Sequence, residues 1–159
     1  MTQTLLETVM LLHGLFAASA FLSSIITMSI VYSGRLREKS LSRLRAFSLL
    51  TVISLLAVNI TGLYGYISYR LPNPDSPRSI ILMTWPLAHE VLFETMEYLG
   101  LIGPVWSALV AWLIWHYKGK IVEEPGLRRA VLVIMLLGFL MILGLSYAGL
   151  IPTMITPVR

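Results

Sequence analysis

Two histidines, His13 and His89, stand inside long apolar stretches, and His89 opens the segment HEVLFETME, which adds three carboxylates. An ionisable group in hydrocarbon is costly unless it is paired, binds a ligand or moves protons. Neutral imidazole is a metal ligand and a proton carrier. A carboxyl group with a raised pKa can accept a proton in a working step. On an α-helix Glu90, Glu94 and Glu97 recur at i, i+4 and i+7, so they share a face. That face is expected about 80–140° around the helix from His89, so that the carboxylates flank the histidine.

The elements that must position these groups follow from composition. Of 159 residues, 57% are hydrophobic and 13% charged. The mean hydropathy is +0.80, and a soluble domain of this length is far more polar. The chain reads as a single integral membrane domain, residues 1–159. Cysteine is absent, which excludes disulfides, thiolate metal sites and cysteine-ligated iron–sulfur clusters. The start, MTQTLLETVM, lacks a basic region and is expected to open the first span, not a cleaved signal.

Four segments are long enough to cross about 30 Å of hydrocarbon at about 1.5 Å per residue. They are expected near 5–33, 45–69, 86–117 and 130–151. All must be helical, because other lipid-exposed backbone leaves polar groups unpaired. Short connections make neighbours antiparallel, so the expected fold is an all-α, up–down bundle of four transmembrane helices. Segment 34–45 carries Arg35, Arg37, Lys39, Arg43 and Arg45; segment 118–129 carries Lys118, Lys120, Arg128 and Arg129. The other side has Arg70, Arg78 and Arg159. Loops 34–45 and 118–129 are therefore expected to be cytoplasmic, with both termini outside a plasma membrane. The net charge of +4 reflects this sorting and indicates no nucleic-acid site. The basic loops favour anionic lipid headgroups.

On this topology the first and third helices are parallel. Counted from Leu5 for His13 and from Ile80 for His89, eight and nine residues, each histidine lies roughly 12–14 Å in from the outer side. Two imidazoles at one depth on parallel helices can clamp a planar macrocycle, each giving an axial nitrogen to iron. Small residues suit a flat cofactor: Gly14, Ala17 and Ala20 near His13, and Gly62 and Gly65 on the second helix. Arg70 and Arg78 could reach haem propionates. Counted from the inner ends, however, His13 lies 20 residues from Ser33 and His89 lies 27 from His116. That is a mismatch of about 10 Å, unless the third helix kinks at Pro104 or projects further inward. The other reading of each histidine is an interfacial residue bonded to a neighbour, with no cofactor.

The pattern resembles small four-helix b-type cytochromes of energy-transducing membranes. The resemblance rests on His13 in LLHGLFAASA, His89 in WPLAHEVLFE and the helix NITGLYGY. It implies one non-covalent haem b with His13 and His89 as axial ligands. With three histidines in all, at most one haem is expected. Electrons would then pass between the quinol pool and an outer acceptor, with a quinone or an outer redox protein as partner. The protein would act alone, as an oligomer or as a subunit of a larger complex. Glu90, Glu94 and Glu97 would handle protons or dock that partner. Two rivals stand beside this reading. One is a divalent-metal or proton-coupled carrier built on His89, Glu90, Glu94 and Glu97. The other is a structural membrane subunit without cofactor.

Overall fold

The computed structural model describes residues 3–34 and 38–155. Arg35, Arg37 and Arg159, used in the charge count, lie outside the described residues. The elements are α1 (Gln3–Ser33), α2 (Glu38–Tyr69), α3 (Pro77–Thr84), a π-helical turn (Ala88–Phe93), α4 (Glu94–Gly100), α5 (Ile102–His116), α6 (Lys118–Glu123) and α7 (Pro125–Ile155). Four stretches are long and apolar enough to span a membrane: Thr4–Ser33, Lys39–Tyr69, Ala88–His116 and Pro125–Ile151. The chain is an all-α, four-helix membrane bundle. The end that bears α3 is labelled outer and the end that bears α6 inner, after the expected orientation.

Two helices outrun the hydropathy expectation. α2 starts at Glu38, because EKSLSRLR is polar but contains no helix breaker. α7 starts at Pro125, a residue suited to a first helical turn. The third crossing is broken into pieces. Pro86 and Leu87 open it in helical conformation, and the π-helical turn follows. A second break falls at Leu101, within one turn of Pro104, whose missing N–H leaves the carbonyl of Gly100 without its usual donor. Before this crossing, Ser76 caps α3 by accepting from the Ser79 amide at 3.3 Å, and Pro77 fills the first turn.

α1 packs along α2, α2 along α5, and α7 closes the ring against α1 and α5. α1 and α5 therefore sit diagonally. The inner half is dry and apolar, centred on Val31, Leu44, Ile114, Ile121 and Val131. The outer core is smaller: Tyr69, Ile81, Ala88 and Phe93. Between them buried hydroxyls gather among apolar side chains: Ser23, Thr27, Ser48, Thr51, Ser54 and Ser107. Large apolar side chains such as Leu11, Leu22, Ile60 and Leu63 point outward, as a lipid-facing surface requires.

Two glycines shape the bundle. Gly34 ends α1 at φ 63°, a left-handed conformation that side chains resist. Gly138 lets the indole of Trp106 lie against α7, where a Cβ would collide with the ring. From there Trp106 Nε1–H donates to the Ile134 carbonyl at 2.9 Å.

Candidate functional site

The outer end gathers side chains from four elements. Tyr69 and Arg70 end α2, Arg78 lies in α3, His89 in the π-helical turn, and Glu94 and Glu97 in α4. His89 is 2% exposed. Arg78 Nε–H donates to His89 Nε2 at 3.2 Å. A guanidinium has no acceptor, so Nε2 must present its lone pair. The histidine is then neutral with its proton on Nδ1, which donates to the Tyr69 hydroxyl at 2.9 Å. The Tyr69 ring stacks on Phe93 with centroids 3.9 Å apart, which fixes the hydroxyl in place.

The π-helical turn decides which carboxylate meets His89. The Glu94 amide donates to the His89 carbonyl, five residues back. Such a turn brings residues five apart onto one side, whereas an α-turn holds them about 140° apart. Glu94 Oε1 accordingly lies 4.0 Å from His89 Nε2, with the Glu94 side chain 39% exposed. The expected flanking arrangement is thus corrected for Glu94, which sits beside the imidazole.

The three carboxylates do not share one environment. Glu90 is exposed. Glu97 accepts from Arg70 Nη2 through both oxygens, at 2.8 and 3.1 Å. Arg70 also lies over the Tyr66 ring, 5.0 Å from its centroid. Burial pulls the Arg70 pKa down, but the hydrogen bond and charge of Glu97 outweigh it and hold the pKa above the ordinary arginine value.

His13 lies elsewhere. Its Nδ1 is 3.1 Å from the Val58 carbonyl and 3.1 Å from the Thr61 hydroxyl. The carbonyl can only accept, so Nδ1 carries the proton and Nε2 keeps its lone pair. Thr61 commits its own proton to the Ala57 carbonyl at 2.7 Å. Gly62 makes room for the ring, since a Cβ there would lie 3.2 Å from His13 Cε1. Gly65 faces Met10 in the same way.

The two histidines therefore meet α2 at different heights, His13 at Thr61 and His89 at Tyr69. Those positions are about 12 Å apart along the helix. The inner-end count describes this offset and the outer-end count does not, because its origin, Ile80, lies in α3, outside the third crossing. Bis-histidine ligation needs two lone pairs aimed at one iron. As arranged, the Nε2 lone pair of His89 is taken by Arg78, and ligation by both would need Arg78 to leave it. Arg70 and Arg78 engage Glu97 and His89, not an open cofactor edge. Among the described residues no group of three or more histidines or carboxylates converges as a metal site.

Two features escaped the sequence reading. One is Tyr69 as the buried partner of His89. A row of hydroxyls also joins α1 to α2: Ser54 donates to Ser19 at 3.0 Å, and Ser23 lies 2.8 Å from Thr51. Its signal was the spacing of Ser19, Ser23 and Thr27 at i, i+4 and i+8, which places every hydroxyl on one face. Comparison with known proteins finds no matching family model, no matching curated protein and no matching solved structure.

Proposed function

We propose that the protein is a proton-coupled membrane carrier whose outer proton-binding group is His89, set between Arg78 and Glu94. One observation carries this reading: Arg78 donates to Nε2 of His89 while a Glu94 oxygen lies 4.0 Å from that same nitrogen. A proton arriving at Nε2 removes the acceptor that Arg78 uses and sets two positive charges together. The same proton turns Nε2 into a donor facing Glu94. Protonation therefore exchanges one partner of His89 for the other, and a two-state element of this kind can couple proton binding to movement. By the distribution of basic residues, this end faces away from the cytoplasm, in a membrane we read as the plasma membrane.

The test is proton entry into proteoliposomes that hold a pH-sensitive dye, under an imposed pH gradient. Wild-type protein is expected to acidify the lumen faster than empty vesicles do. His89→Gln is expected to slow that entry by at least about tenfold. Entry no faster than in empty vesicles would contradict the reading.

A second reading, a b-type cytochrome, is favoured by one feature of His13. Its Nδ1–H is anchored on a backbone carbonyl and its Nε2 is left open, the usual setting of a metal-ligating imidazole. When bound, a haem would supply one-electron redox chemistry between a quinol and an outer acceptor. A Soret band that His13→Ala abolishes would favour this reading. Neither proton entry nor a Soret band would leave a structural membrane subunit.

A further inference from the structure

A cavity of ≈ 40 Å³ lies in the middle of the bundle, bordered by α1, α2, α5 and α7. It is half open, and its wall is mostly apolar (Met28, Val110, Met135, Phe139 and Ile142 among others), with five hydroxyls set into it: Ser24, Thr27, Ser48, Thr51 and Ser107. Each donates to a carbonyl of its own helix. Ser24 donates to Ala20 at 2.7 Å and Thr27 to Ser23 at 2.7 Å. Ser48 donates to Arg45 at 2.9 Å, Thr51 to Phe47 at 3.0 Å and Ser107 to Pro104 at 2.9 Å. The indole N–H of Trp106 is held by Ile134. The wall therefore offers lone pairs, with its side-chain protons already committed. Its occupant must donate.

The occupant must also be neutral. No carboxylate lines the cavity, and a cation at this depth without a counter-charge is costly. A cavity of ≈ 40 Å³ has room for about three waters, at about 10–15 Å³ each. We propose that it holds a small water cluster that donates to these five oxygens. Towards the outer end the Ser23–Thr51 and Ser19–Ser54 pairs extend the polar row along α1 and α2, and the His13–Thr61 pair lies about two turns further out. Towards the inner end Val31, Leu44, Ile114, Ile121 and Val131 form a dry seal, each at most 1% exposed. The bundle thus contains a hydrated pocket at mid-bundle, closed on its inner side by this apolar seal.

The experiment is water-edited solid-state NMR on the full chain, isotope-labelled, in lipid bilayers. Magnetisation from water is expected to reach Thr27 and Thr51 several-fold faster than the lipid-facing Leu49 and Leu109. Thr51→Val preserves shape and removes one acceptor. It is expected to slow the transfer to Thr27 while the rest of the spectrum stays in place. Transfer to Thr27 and Thr51 as slow as to the leucines would overturn the proposal, as would a Thr27 signal indifferent to Thr51→Val. Hydration and proton entry are read separately. Proton entry with a dry cavity overturns the cluster alone, and a wet cavity without proton entry overturns the carrier reading alone.

Discussion

Arg78 Nε lies 3.2 Å from Nε2 of His89, and because a guanidinium only donates, this contact makes the buried histidine neutral with its proton on Nδ1. The remaining contacts follow from that tautomer. Tyr69 takes the Nδ1 proton as acceptor. Glu94 waits beside Nε2 without a proton to receive from it. The arrangement stores one unused protonation step at an otherwise satisfied residue.

Tyr69→Phe should isolate the hydroxyl from the ring. The stack on Phe93 is preserved, and the His89 Nδ1–H loses its acceptor in a buried site. The expected loss is about 1–3 kcal/mol of stability, read as a lower Tm in detergent. An unchanged Tm would mean that the hydroxyl holds nothing.

The Arg70–Glu97 pair should contribute modestly. Its side chains are 33% and 18% exposed, so solvent weakens the attraction. A double-mutant cycle with Arg70→Gln and Glu97→Gln should give a coupling of about 0.5–1 kcal/mol. The Arg70 pKa is raised, so its share of this stability is complete below the ordinary arginine value. It is lost only as pH climbs through the higher folded value. Stability measured across the neutral range should therefore show no loss from Arg70 deprotonation.

Gly138→Ala should be damaging and Gly144→Ala tolerated. A Cβ at Gly138 meets the Trp106 indole, while a Cβ at Gly144 meets nothing within 4 Å. Overpacking of this kind costs about 1–3 kcal/mol. Thermal unfolding of the two variants in parallel checks it, and equal Tm values would contradict the packing described.

Much of the architecture was legible because hydropathy acts over whole helices. Four spans need only length and apolar content, and those survive local irregularity. The inner extension of α2 was less legible, because Lys39, Arg43 and Arg45 end the apolar run without ending the helix. At the site, His89, Glu94, Arg70 and Arg78 could be singled out by type, but their pairing could not. It depends on the π-helical turn, which adds one residue between His89 and Glu94 and has no periodic signature. The shared depth of the histidines failed for a related reason. α3 is a separate helix that ends at Thr84, so Ile80, outside the third crossing, was a poor origin for measurement.

Topology can be checked directly because the chain has no native cysteine. Asp75→Cys and Lys120→Cys both place a thiol at an exposed position. In intact cells a membrane-impermeant maleimide should label the first and not the second, as the basic-residue bias requires. The reverse pattern would invert the bundle and place the His89 group at the cytoplasmic face.

The most direct measurement is the ¹⁵N NMR spectrum of His89 in bilayers as pH is lowered, with the Arg78 guanidinium followed in the same sample. At neutral pH His89 is expected to show a protonated Nδ1 and a bare Nε2. On acidification Nε2 should gain its proton in the same step that shifts the Arg78 signal. A proton on Nε2 at neutral pH, or a titration of His89 that leaves Arg78 unchanged, would contradict the proton switch.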